Sequence, residues 1–353
     1  MTGKSCAVVF LLMPLLSAEP LPIIAGPAAG PATTAPEPPR ESAATAIRKE
    51  AAALEPLAKS DLVRRFLGAT ASLPDIAPRR LLRDQAKTHY YTPAEAAALP
   101  EAQRKALDEV TLDDAYYYNT RYGTPLAYAR PLDLLVEAGV TDVSGKKLLD
   151  FGYGGIGHLR LLASLGADVV GVEVDPLLRA LYSEPGDTGE IIGSQPRHGS
   201  LRLVDGQFPA TDEVKRAVGG GYDVILSKNV LKNGYLHPAE PVDPRRLVHL
   251  GVDEEAFLRV LNASLNPGGF VLIYNLCPAP APAGKPYIPW ADGRSPFSKS
   301  QWEAAGFNVV AFDKDDGAAA RAMAHALGWD AGERPMDLEK DLFATWTLAR
   351  KAR

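Results

Sequence analysis

Cysteine is almost missing from this 353-residue chain: there are two, Cys6 and Cys277, beside six histidines. A disulfide framework is thereby excluded, and no His/Cys spacing fits a metal centre. A basic run or stripe is missing as well. The 38 Lys and Arg are interspersed with 43 Asp and Glu, for a formal net charge of −5. Nucleic acid is therefore not an expected partner, because nothing along the sequence forms an electrostatic footprint for a phosphate backbone. Apolar runs long enough to span a bilayer are also lacking, since the run at 7–16 is too short for a membrane-crossing helix. Hydrophobic residues make up 46% of the chain, which suits a buried core in one large α/β domain with an accessory segment.

The N-terminus has its own pattern. Lys4 precedes the apolar run, and Ala18 or Ala25 could close a cleavage site, so residues 1–25 form a signal-like segment. Export, to a periplasm for example, is the expectation, with a cytoplasmic location as the alternative and no membrane span after signal cleavage. Residues 26–41 are a Pro/Ala-rich linker, with too little apolar surface to offset the entropy of ordering. Residues 42–140 form an accessory helical segment, with Ala, Leu, Glu, Lys and Arg at helical spacing over 42–67 and 93–110. An aromatic stretch at 116–123 either covers a ligand or packs against the core. A helical pattern follows at 125–138.

From 141 to 353 the pattern alternates. Strands are expected at 147–151, 168–174, 201–204, 222–227, 270–274, 307–312 and 342–348, and helices at 156–165, 253–265 and 317–327. This implies an α/β fold: a Rossmann-like, mainly parallel seven-stranded sheet with helices on both faces, plus N-terminal accessory helices. Ligands in such sheets sit beyond the carboxyl ends of the strands.

The richest motif is Asp150-Phe151-Gly152-Tyr153-Gly154-Gly155-Ile156-Gly157. Its glycines permit a tight turn from strand to helix, where free amides could face a ligand. Gly152, Gly154 and Gly157 also match the dinucleotide pattern, with Glu173 at the next strand end for a ribose, so an NAD-dependent oxidoreductase is one reading. Against it, the carboxylate of Asp150 would repel a pyrophosphate yet suits a ligand carrying an ammonium and a sulfonium. Leu265-Asn266-Pro267-Gly268-Gly269 ends a helix and turns into an apolar strand, and two closing strands follow.

With these features the sequence resembles the class I S-adenosylmethionine (SAM)-dependent methyltransferases over about 200 residues. The resembling motifs are the glycine turn, Val172-Glu173-Val174-Asp175-Pro176, Val204-Asp205-Gly206, the fourth strand with Lys228-Asn229-Val230, and Asn266-Pro267-Gly268-Gly269. Ile156 departs from the family's third glycine, and no Asn-Pro-Pro-Tyr follows the fourth strand. The resemblance implies SAM as cofactor, held by Asp150, Gly152, Gly154, Glu173, Asp205 and Asn229. Methyl transfer further asks for an aligned acceptor and a proton acceptor. His237, in the loop 228–251, is the candidate catalytic base, and Tyr287, Trp290 and Arg294, in the Pro-rich loop 275–297, are candidates for binding a small-molecule or protein acceptor. A non-catalytic exported binding protein on the same scaffold is the third reading, because SAM is not expected outside the membrane.

Overall fold

The computed structural model describes residues 41–193, 195–332 and 335–353, so the signal-like segment and nearly all of the linker lie outside the described residues. The accessory segment opens with Ser42 and Ser60, each accepting a hydrogen bond from the amide three residues on and starting the helices Ala43–Leu54 and Asp61–Gly68. Ile47, Leu54, Leu62, Val63 and Phe66 are buried and hold the pair on the rest of the molecule.

The accessory helical segment 42–140 also contains strands, and the helix expected over 93–110 needs correction. Only the short helices Pro93–Ala97 and Glu101–Lys105 form within 93–110. Strands β1 (Arg79–Arg83), β2 (Tyr90–Tyr91) and β3 (Asp108–Leu112) make an antiparallel sheet in the order β2-β1-β3. Its inward face is not an apolar alternation. Arg79 is buried because its guanidinium meets Asp187 at 2.8 Å, 108 residues away, and Asp187 also accepts from the Tyr117 hydroxyl at 2.8 Å.

The main sheet contains β4 (Lys147–Phe151), β5 (Asp168–Glu173), β6 (Gly189–Ile191), β7 (Gly199–Asp205), β8 (Tyr222–Lys228), β9 (Leu265–Cys277), β10 (Phe307–Asp315) and β11 (Phe343–Lys351). Their order is β10-β11-β9-β8-β4-β5-β7-β6. The five central strands from β9 to β7 are parallel, and β6, β10 and β11 pair antiparallel at the edges. All seven expected strands are present, and β6 is an additional short edge strand. The Pro-Gly-Gly turn is a finer correction: pairing with β8 already begins at Leu265, and the segment is an irregularity inside β9, with Gly268 at φ +79°.

Helices cover both faces. Ala129–Glu137, Gly157–Ser164 and Gly317–Ala326 pack on one, sharing a core that runs without a break from Ala43 through Leu132 and Leu148 to Leu348. Glu254–Ser264 and Lys299–Ala304 pack on the other, around Phe257, Phe297 and Trp302. Among the described residues no helix is long and apolar enough to cross a membrane. The carboxyl ends of β4, β5, β7 and β8 therefore form one exposed edge where connections diverge, the general place for a ligand in a parallel sheet.

Candidate functional site

The turn after β4 is tight because Gly152 and Gly154 adopt φ of +75° and +59°, which side chains rarely tolerate. Both glycines are also covered. A Cβ at 152 would lie 2.5 Å from Val230 Cγ2, and one at 154 would lie 2.8 Å from Tyr122 Cδ2. Several amides ahead of the helix Gly157–Ser164 are engaged within the chain. Gly152 N donates to Val172 O, Gly154 N to Glu173 Oε2, Gly155 N to Tyr153 O and Ile156 N to the Tyr182 hydroxyl. Four amides of the turn are thus taken by the chain itself.

Asp150 closes β4 and is buried. Its Oδ2 accepts from Tyr128 Oη at 2.8 Å and meets His158 Nε2 at 2.5 Å, while the Tyr128 and His158 rings stack at 3.6 Å. Burial holds the His158 imidazole below its usual value, with Asp150 pulling the other way. Oδ1 of Asp150 is buried and, among the described residues, has no hydrogen-bond partner. Such an oxygen is costly to leave bare.

Glu173 ends β5 directly beside Asp205 at the end of β7. It accepts from the amides of Gly154 and Val174, and burial pushes its carboxyl up against them. Asp205 is exposed, its carboxyl raised by partial desolvation. Asp175 has structural duties, capping the helix Pro176–Leu181 through the Leu177 amide and pairing with Arg121 at 2.5 Å. Three consecutive strands of the edge therefore end in carboxylates.

The aromatic stretch contributes both to the core and to the cover of the glycine turn. Tyr117 and Tyr118 are core residues, whereas Tyr122 is 42% exposed and lies over Gly154. Thr120 holds that arrangement: at φ +48° it donates to Gly154 O at 2.8 Å and accepts from the Tyr122 amide.

The loops after β8 and β9 are joined to each other. Asn229, at φ +65°, accepts from the Leu276 amide through Oδ1, so its carboxamide ties the β8 end to β9. Asn233 N donates to Arg294 O and its side chain to Asp292, and the hydroxyl of Tyr287 lies 3.1 Å from where a Gly234 Cβ would be. Trp290 is half-buried, with its carbonyl accepting from Lys232. Arg294 is exposed, its guanidinium forked on Asp292. His237 is not brought to the glycine turn. Its Nε2 lies 3.0 Å from Pro296 O and 3.0 Å from Glu254 Oε1, at the start of the helix covering the opposite face of the sheet from Asp150. An open cleft of about 960 Å³ lies on that side, lined by Leu236, His249, Leu250, Asp253, Glu254 and Gln301. No lining residue belongs to the turn.

Two lysines to which the motifs assign no role occupy this edge. Lys228 ends β8 and is 9% exposed; Lys232 is 0% exposed. The Lys232 amine donates to Leu276 O at 2.5 Å and Trp290 O at 3.2 Å, whereas among the described residues Lys228 has only the face of Tyr128, 5.3 Å from its Nζ. Burial, with Lys232 adding to it, pulls the Lys228 ammonium down to about 8. The available signal was a lysine closing Val224-Ile225-Leu226-Ser227 with no acid within four residues. No cluster of three metal-ligating residues exists among the described residues.

No protein-family model matches the chain, and no curated protein matches it. Solved structures similar to it include a SAM-dependent methyltransferase from Mesorhizobium loti at 16% identity, covering 62% of this chain and 96% of that one with a TM-score of 0.35. The magnesium protoporphyrin IX methyltransferase of Synechocystis PCC 6803 with bound S-adenosylhomocysteine (SAH) has 14% identity, coverage of 66% and 85%, and a TM-score of 0.33. A TehB-like SAM-dependent methyltransferase from Corynebacterium glutamicum has 18% identity, coverage of 65% and 98%, and a TM-score of 0.29. Likenesses this loose carry no residue role and no ligand.

Proposed function

We propose that this chain binds SAM and SAH at the carboxyl edge of β4, β5 and β7 and transfers a methyl group to a small-molecule or protein acceptor. The observation that carries the reading is the partnerless, buried Oδ1 of Asp150 beside the glycine turn, on an edge that continues to Glu173 and Asp205. Carboxylates at three strand ends suit a cationic, hydroxyl-bearing adenosyl ligand: an acid for the ammonium, an acid for the ribose diol. The same feature disfavours NAD. A pyrophosphate needs free amides and positive charge, and here four amides of the turn are engaged and acids line the edge.

The bound cofactor would supply a methyl group activated by a sulfonium. What remains for the chain is to bind, to align the acceptor and to keep water out. Asp150 and Glu173 are the binding residues of this reading, and Tyr122 and Val230 are its cover. The joined loops around Asn233 and Trp290 form the acceptor wall. His237 lies with Glu254 on the other face, which counts against it as the base.

One observation favours the alternative of a non-catalytic scaffold: the covered turn, where Tyr122 and Val230 lie against both glycines. Calorimetry with SAM, SAH and NAD separates these readings. Binding of SAM and SAH without NAD is expected. Binding of NAD alone would overturn the proposal, and binding of none of the three would favour the scaffold.

A further inference from the structure

Lys228 is the one feature of this edge that the reading above leaves without a task. Its side chain leaves β8 on the same face as Asp150 leaves β4, since Asp150 is in register with Leu226 and side chains two residues apart share a face. Tyr128 joins the two groups: its hydroxyl donates to Asp150 Oδ2 at 2.8 Å, and its ring lies 5.3 Å from Lys228 Nζ. Asp150 and Lys228 nevertheless do not form an ion pair or hydrogen bond. Among the described residues Asp150 Oδ1 has no hydrogen-bond partner, and Lys228 has no hydrogen-bonding or ion-pairing partner either. Lys232, by contrast, is fully explained by the two carbonyls it joins.

A buried carboxylate oxygen and a buried amine, adjacent, unpaired and opposite in charge, are complementary to a ligand that presents both signs a few atoms apart. An α-amino acid group does so. We infer that Lys228 and Asp150 together hold the amino-acid end of the cofactor, with Lys228 Nζ taking the α-carboxylate and Asp150 Oδ1 the α-ammonium. This rests on the cofactor reading above and extends it to a residue outside the glycine motif. Lys228 is then a specificity residue, separating ligands that carry the zwitterion from adenosyl compounds that lack it. The Tyr128 face steadies the ammonium in the ligand-free protein, and a carboxylate becomes its counter-ion when the site is filled. A lysine serves here as a point charge at a strand end, where no bidentate geometry is required.

Calorimetry with SAH and with 5′-methylthioadenosine, which has the same nucleoside and thioether but no amino-acid group, reads the inference directly. Wild type should bind SAH at least about thirtyfold more tightly than the truncated compound. Lys228→Met should weaken SAH about tenfold or more and change 5′-methylthioadenosine less than about twofold, with Lys228→Arg in between; Lys228→Gln serves if the Met variant does not fold. Glu173→Ala should weaken both ligands alike, as a ribose contact would. Equal losses on both ligands in Lys228→Met, or no loss on either, would overturn the role of Lys228 while the cofactor reading stands. Failure of wild type to bind either compound would overturn the cofactor reading and this inference with it.

Discussion

Removing the amine of Lys228 should make the ligand-free protein more stable, which is unusual for a strand-end residue in the middle of a sheet. Burial lowers this ammonium from 10.5 to about 8. A shift of that size corresponds to roughly 3 kcal/mol of penalty at neutral pH, at about 1.4 kcal/mol per unit. The Tyr128 face returns about 1 kcal/mol of it. Lys228→Met keeps the apolar stem and removes the charge, for a net gain of about 2 kcal/mol at pH 7. The pH dependence has a definite sign. Because the folded-state value lies below the unfolded one, wild type gains stability as pH rises from about 8 to about 10.5, while the Met variant lacks that gain from this position. By about pH 9.5 some 2 kcal/mol of the wild-type penalty is relieved, so the two proteins should converge. Lys232, Asp150 and His158 are the charged or titratable neighbours, and they are common to both proteins. Urea unfolding at the two pH values measures the difference. If Lys228→Met were less stable than wild type at both, the amine would be a structural strut and the reasoning from an unpaired buried charge would fail.

Other substitutions give distinct outcomes. Glu173→Ala should weaken SAH by about 1–3 kcal/mol in calorimetry, by stranding hydroxyl partners. Asp175→Ala should instead cost about 1 kcal/mol of stability for the lost helix cap, read as a lower unfolding midpoint, with a smaller effect on SAH; a reversed order would move the ribose contact two residues on. Tyr122→Ala uncovers Gly154, and stopped-flow mixing should show faster SAH association, by about threefold or more, if that ring must swing aside to admit ligand. An unchanged association rate would mean that the ring is not a barrier.

The parallel core was legible because the aliphatic runs of β4, β5, β8 and β9 are buried on both faces and the runs are set apart by helix-length segments. The carboxylates at 150, 173 and 205 were legible for a related reason: a strand end is marked locally by the turn that follows. The accessory sheet was not. Arg79-Arg80-Leu81-Leu82-Arg83 has no alternating apolar face, and what buries Arg79 is Asp187, far away in sequence. The same holds for Lys228 and Lys232. Nothing within four residues shows that the fold carries both amines inside, because the burying groups come from Tyr128, Leu276 and Trp290. His237 had the opposite fate. A histidine in a loop after the fourth strand fits a base by position, but Glu254 and Pro296 hold it on the other face. Within the glycine turn, ahead of the helix, long-range contacts with Val172, Glu173 and Tyr182 engage the amides of Gly152, Gly154 and Ile156, which no local pattern announces.

The most direct test of the central claim is ultraviolet cross-linking of SAM tritiated on its methyl group, followed by mapping of the labelled peptides. The account predicts label on peptides containing Tyr122 and on those spanning the turn from Asp150 to Gly154, competed by unlabelled SAH and not by NAD. Label confined to the cleft around His249 and Glu254, or competed by NAD, would contradict it.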